Sequence, residues 1–187
     1  MLEHGYTTNF EEAILRHLDA AYNLARWLMR NEQDAQDAVQ EAYLRAFRFF
    51  PGFRGGDSRA WLMKIVRNTC YTILRANRSM QDATEFDETV LIPDSQAPTP
   101  EQAALQNDSD SSVRYAVESL PTGFREVLIL REIEGMSYKE IAEITGIPAG
   151  TVMSSLSRAR GRLRQALAGA MNRNPMPRSQ RTPVFSA

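Results

Sequence analysis

The strongest constraint on this chain is a gap in its hydrophobic pattern. Between Ser79 and Ser112 apolar side chains recur at no fixed spacing. Eight acids stand there without a single Lys or Arg, and Pro93, Pro98 and Pro100 interrupt the backbone. Such a stretch buries too little apolar surface to offset the entropy of ordering it. On either side a 3.6-residue period returns, and strand-like alternation of useful length is absent throughout. The 187 residues are therefore expected to be all-α: two small helical domains joined by a flexible acidic linker. The expected division is a first domain over 1–78, the linker over 79–112, a second domain over 113–170 and a disordered tail over 171–187.

In the first block Phe10, Ile14, Leu18, Tyr22, Ala25 and Leu28 fall on one helical face. A second helix is predicted from about Glu32 to Phe49, with Ala35, Ala38, Val39, Ala42, Tyr43, Ala46 and Phe47 inward. Its first turn carries Glu32, Asp34 and Asp37 and its last Arg45 and Arg48, as the helix dipole favours. The glycines and proline of "FPGFRGGDS" end the pattern, and Asp57 or Ser58 can cap a third helix. The apolar positions of that helix are Trp61, Leu62, Ile65, Val66, Thr69 and Ile73.

In the second block Val113, Val117 and Leu120 form one short helix, and Pro121 opens the next, with Phe124, Val127, Leu128 and Leu130 inward. Gly135 ends it. Ser137 followed three residues on by Glu140 is a capping box for "YKEIAEITG". Gly146 suits a turn with positive φ, Ala142 a close crossing of two helices, and a long helix runs from Pro148 to about Ala168. With Ile141, Ile147, Val152 and Leu156 buried between the pair, Met153, Ser154, Ser157, Arg158 and Arg160 face solvent. This is helix-turn-helix spacing, in which the second helix enters a DNA major groove and the first braces it. A helical hairpin with a merely solvated arginine face is the bland alternative. Four alternating arginines without an acid argue against it, since solvated faces normally mix both signs.

Net charge, −1, hides this segregation. Residues 42–78 carry eight cations against Asp57 alone, and residues 148–187 carry seven arginines and no acid. Two basic blocks flanking an acidic one place attraction for phosphate at both ends of the ordered chain. In the third helix, Phe53, Trp61 and Tyr71 interleave with Arg54, Arg59, Lys64, Arg67, Asn68, Arg75 and Arg78. Rings beside cations suit single-stranded nucleic acid, whose bases stack while its phosphates pair, although a helical tryptophan is more often core. The outer face of the second helix, Asp34, Gln36, Asp37, Gln40 and Glu41, reads on its own as a solvated surface.

Catalytic constellations are missing. "GFRGGDS" lacks the lysine and hydroxyl of a phosphate loop, and His4 and His17 offer no serine or cysteine a plausible base. With one cysteine, Cys70, neither an internal disulfide nor a structural zinc site is expected, and Cys70 reads as a buried small hydrophobe. No apolar run approaches membrane-spanning length and no secretory leader is visible, so a cytoplasmic protein is expected.

Two long segments then carry a resemblance. "DAQDAVQEAYLRAFRFFPGFRGGDSRAWLMKIVRNTCYTILR" is similar to region 2, and "SLPTGFREVLILREIEGMSYKEIAEITGIPAGTVMSSLSRARGRLR" to region 4, of the bacterial extracytoplasmic-function (group IV) RNA polymerase sigma factors. Together they cover about residues 10–78 and 113–168. The resemblance implies a non-enzymatic specificity subunit that needs no cofactor. Its partners would be core RNA polymerase (the β and β′ subunits), promoter DNA and an inhibitory anti-sigma factor, with no small-molecule substrate and no membrane insertion. It assigns Asp34, Asp37, Gln40 and Glu41 to the polymerase clamp. Phe53, Arg54, Trp61, Lys64, Arg67 and Asn68 fall to the melted −10 element, with Asn68 at a flipped-base pocket. Tyr138, Thr151, Met153, Ser154, Ser157, Arg158 and Arg160 fall to the −35 element, and the linker to the polymerase cleft. Many relatives carry basic residues at the positions of Met153 and Ser155, so fewer upstream phosphate contacts are expected here. The rival readings are a dimeric helix-turn-helix repressor or activator, which leaves the basic-aromatic helix and the linker unused, and a helical adaptor that binds only proteins.

Overall fold

The computed structural model describes residues 9–81 and 109–173. The expected flexibility of the linker over 82–108, a helical turn that its residues 101–106 could form by sequence, and the expected disorder of the tail beyond 173 lie outside the described residues. Among those described, regular structure is helical throughout.

The first bundle contains α1 (Leu18–Met29), α2 (Glu32–Phe49) and α3 (Ser58–Gln81), which pack mutually. A helical segment over 9–14 and a 3₁₀ turn, Leu15–His17, lead into α1. The single expected first helix is therefore broken at Leu15, although Phe10 and Ile14 are fully buried as predicted. Arg30 turns the chain between α1 and α2 in the left-handed conformation, φ 62°, and Asn31 caps α2 by accepting from the Asp34 amide at 3.1 Å. The buried stripe of α2 is entirely alanine, Ala35, Ala38, Ala42 and Ala46. Methyl-sized side chains let the backbones of α1 and α3 approach closely, so α2 contributes packing density rather than bulk.

Phe47 was expected inside but is 39% exposed, its ring meeting Phe10 only edge-on at 5.1 Å. In α3 the buried side chains include Ala60, Leu62, Met63, Val66, Thr69 and Cys70, whereas Trp61, Ile65 and Ile73 are half-buried. Met63 and Cys70 extend the expected inner face round the helix. Asp57, rather than Ser58, closes the α3 N-terminus: its Oδ1 accepts from the Arg59 and Ala60 amides at 2.9 and 3.2 Å.

The second bundle contains α4 (Ser109–Glu118), α5 (Thr122–Leu128), a π-helical turn (Ile129–Ile133), α6 (Tyr138–Thr145) and α7 (Ala149–Arg173). Helix α4 begins within the segment assigned to the linker, and Val113 is 47% exposed rather than inward. Helix α6 carries the predicted capping box, with the Ser137 hydroxyl accepting from the Glu140 amide and Glu140 accepting from the Ser137 amide. Gly146 ends it at φ +75°, a conformation that costs glycine nothing and any Cβ-bearing residue strain. Ile141, Val152 and Leu156 are buried between α6 and α7, with Ile147 half-buried at the turn.

The sequence pattern predicts two helical domains, and the two bundles pack directly on each other. Helix α1 meets α5, helix α3 meets α6, and the buried side chains of both bundles join in one apolar cluster.

Candidate nucleic-acid interface

Helix α7 presents its first turns outward. Val152, Leu156 and Ala159 turn inward at four- and three-residue spacing, which leaves Thr151, Met153, Ser154, Ser157 and Arg158 exposed. Met153 is 53% exposed, an apolar side chain on an otherwise hydroxyl-rich surface. The Ser154 hydroxyl donates to the Thr151 carbonyl at 3.0 Å. Arg160 is also exposed, but Glu132 holds its guanidinium at 2.6 and 3.0 Å. Tyr138, at the start of α6, is half-buried with the Arg131 guanidinium 5.0 Å from its ring centre. The structure thus gathers Thr151, Met153, Ser154, Ser157 and Arg158 on one open surface, with Arg160 and Tyr138 already partnered at its edges.

The α3 surface is built differently. Gly55 and Gly56, both at positive φ, shape the loop that leads into it. Arg54, Lys64 and Asn68 are exposed. Phe53 and Trp61 are half-buried and lie 5.0 Å apart, continuing an aromatic row from Phe10 through Phe50. Trp61 is therefore part core and part surface, packed against Phe53 of the loop.

Arg67 departs furthest from an open DNA face. Its Nε donates to Glu126 Oε1 at 2.5 Å and its second terminal nitrogen to Glu126 Oε2 at 3.4 Å, while its side chain is only 20% exposed. The Tyr71 hydroxyl donates to the same carboxylate at 3.0 Å, and the Arg67 guanidinium lies 4.5 Å from the Tyr71 ring centre. Burial pushes the Glu126 carboxyl above its usual range, opposed by the Arg67 charge and by hydrogen bonds from Arg67 and Tyr71. Burial, and then the Glu126 charge, push the Tyr71 phenol up as well, so it remains a donor. Nearby, Arg59 donates to Glu134 at 2.7 Å and Asn23 reaches the same carboxylate at 3.4 Å. Arg30 donates to the Glu118 carbonyl.

Residue-pattern reasoning did not single out Tyr71, Arg59, Glu126 or Glu134 as a unit. Glu126 and Glu134 sit eight residues apart in a segment of strong apolar period, where acids read as the wet side of a helix. The one available signal was that the basic α3 face and these acids are opposite in charge on two domains.

On α2, Asp37, Gln40 and Glu41 are exposed and Asp34 is half-buried, forming one outward acidic stripe with Gln36. Glu41 pairs with Arg45 at 2.8 Å, and Gln33 donates to Asp37 at 3.3 Å. Among the described residues, no group of three His, Cys, Asp or Glu is placed to hold a metal ion, and no helix is long and apolar enough to cross a membrane. Cys70 is buried as expected, its thiol pushed up to about 12 by burial and the Glu126 charge.

Comparison with known proteins matches both halves. A family model for Sigma-70 region 2 matches residues 13–80, and a model for Sigma-70, region 4 matches residues 111–163. The ECF RNA polymerase sigma factor SigE of Mycolicibacterium smegmatis is 32% identical over 160 residues, covering 86% of this chain and 62% of the relative. This chain therefore spans less than two thirds of that relative's length. The RNA polymerase sigma-H factor of Pseudomonas aeruginosa is 31% identical over 175 residues, covering 89% of this chain and 90% of the relative. Among solved structures, the sigma factor RpoE from Bartonella quintana, in complex with the anti-sigma factor NepR, matches with a TM-score of 0.68 and 31% identity. That match covers 86% of this chain and 97% of the other.

Proposed function

The chain belongs to the extracytoplasmic-function sigma factors of the sigma-70 family, and from that premise we propose that it binds core RNA polymerase, selects promoters and captures their melted strand, under the control of an anti-sigma factor. The observation that carries this reading is the presence of two chemically different surfaces in one chain. Helix α7 offers an open, cation-bearing face suited to a duplex groove, and α3 offers cations over a ring-lined loop suited to unpaired bases. A repressor needs only the first.

In this assignment Thr151, Met153, Ser154, Ser157 and Arg158 read the −35 element, with Tyr138 and Arg160 at phosphates beside it. Phe53, Arg54, Trp61, Lys64, Arg67 and Asn68 hold the −10 strand. Asp34, Asp37, Gln40 and Glu41 dock on the polymerase clamp, where their charge favours a basic partner surface. Tethering two weak contacts raises the effective concentration of the second once the first is made, so neither needs high affinity alone. No residue here is assigned a catalytic role, and the chain works in the cytoplasm, where polymerase and promoter are. The resemblance to a sigma factor solved with its inhibitor supports an equivalent anti-sigma partner for this chain.

The test is transcription by purified core polymerase, with and without this protein, from a pool of genomic fragments. Specific start sites that appear only with the protein sustain the reading. Absence of both start sites and core binding refutes it.

A further inference from the structure

Met153 is 53% exposed, the most open large apolar side chain among those described on α7. It stands in the second turn of that helix, and Thr151, Ser154, Ser157 and Arg158 around it are exposed as well. A lone apolar side chain is ordinary on a surface that stays in water. On the opening turns of a helix that enters a major groove, the same side chain meets base edges. We propose that Met153 is a specificity-determining residue, which selects a thymine in the upstream promoter element by packing its thioether on the C5 methyl group. This rests on the sigma-factor reading and names a base that the reading leaves open.

Groove chemistry decides for thymine. In the major groove guanine, adenine and cytosine present hydrogen-bonding edges, and thymine alone adds an apolar methyl. Methionine donates no hydrogen bond, and its sulfur is a weak acceptor. Set against another base, it would strip water from a donor or acceptor and return nothing. Against thymine it buries two apolar groups together, and its three rotatable bonds let it follow the methyl. The neighbouring side chains do not duplicate this choice. Serine and threonine hydroxyls bond to several bases, and Ser154 already donates to the Thr151 carbonyl at 3.0 Å. Arg158 carries a charge suited to phosphate or to guanine, and Arg160 is held by Glu132 at 2.6 and 3.0 Å. An apolar contact also behaves differently from a cationic one, because added salt weakens phosphate contacts and leaves methyl burial in place.

The test uses holoenzyme, assembled from core polymerase and the full chain, and a randomised duplex library long enough to span both promoter elements. Sequences retained by holoenzyme and not by core alone define the upstream element. A thymine is expected at one position there that Met153→Ala no longer selects. In a retained duplex each upstream thymine is then replaced singly by deoxyuridine, which removes only the methyl. At the contacted position the parent should bind the thymine duplex about fourfold tighter, the value of burying one methyl-sized group. Met153→Ala should bring that ratio close to one, and the cycle of the two changes cancels any effect of uracil on DNA shape. The ratio should hold as salt is raised while both affinities fall. Met153→Gln, equal in length but polar, should lose the ratio too, and it decides the matter should the alanine variant misfold.

A deoxyuridine scan without effect at every upstream thymine overturns the proposal. So does a ratio that survives both substitutions, or one that disappears as salt is raised. A failed sigma reading shows separately: holoenzyme that retains no sequence beyond those held by core alone overturns both, whereas retained sequences with a flat deoxyuridine scan overturn the role of Met153 alone.

Discussion

Helix α6 is only eight residues long, and an isolated helix of that length is not stable in water. Its N-terminus leaves four backbone N–H groups without intrahelical partners. Two side chains address that terminus: the Ser137 hydroxyl accepts from the Glu140 amide at 3.2 Å, and Glu140 Oε2 accepts from the Ser137 amide at 2.7 Å. Each side chain bonds the other's backbone, so each truncation removes one bond and leaves the other intact. Ser137→Ala is expected to cost about 1 kcal/mol. Glu140→Ala, which also removes a negative charge from the positive end of the helix, is expected to cost about 0.5–1 kcal/mol. The two single costs sum to about 1.5–2 kcal/mol, and because the residues share one capping box the double variant reads their coupling as its departure from that sum.

Equilibrium urea unfolding of the full chain measures all three. Ser137→Gly is the control that separates capping from helix propensity, because glycine at this position costs only a few tenths of a kcal/mol. Promoter affinity should fall in the same order, since α6 carries Tyr138 and braces α7. Ser137→Ala with an unchanged urea midpoint, or a Ser137→Gly variant weaker than Ser137→Ala, would refute the capping account.

The all-alanine stripe of α2 makes Ala42→Leu an overpacking change at a fully buried site, expected to cost about 1–3 kcal/mol in thermal or urea unfolding, whereas Gln36→Leu on the exposed face should cost little. Cys70 is raised from an ordinary 9.0 to about 12, so the folded chain keeps a proton that the unfolded chain releases. Its contribution is fully present below pH 9 and is lost as pH rises towards 12. The urea midpoint should fall across that window, and Cys70→Ala should flatten the slope by about 1.4 kcal/mol per pH unit. Arg158→Ala, at an exposed cation of α7, should weaken promoter binding by the holoenzyme and reduce its log–log salt slope by about 0.9, without changing core affinity.

What could be read from residues alone followed how local its cause was. The capping box at Ser137 and Glu140, the left-handed Gly146 and the burial of Val152 and Leu156 each depend on neighbours within a turn or two, and all were legible. Phe47 and Val113 mark where periodicity failed. Both fit an apolar stripe by spacing, yet each falls at a stripe's margin, where only the placement of other helices decides between core and surface. The break at Leu15 and the π turn at Ile129–Ile133 leave no mark in a 3.6-residue pattern, because both shift the register while keeping the apolar residues.

Arg125 and Glu126 show the limit most sharply. Both are almost fully buried, although adjacent charges within an apolar run read as its wet edge. Arg125 is spent at short range, donating to the Glu118 carbonyl at 2.6 Å and so closing the C-terminal end of α4. Glu126 is spent at long range, on Arg67 and Tyr71 of the other domain. The same feature that pointed to a nucleic-acid surface, a run of cations with almost no acids among them, left Arg59 and Arg67 to find their carboxylates far off in sequence. Acids that complement such a run can stand anywhere else in the sequence, and here those of Arg67 and Arg59 lie 59 and 75 residues away. Segregated charge therefore predicts that a basic face will find an acidic partner, and it is the fold that chooses Glu126 and Glu134.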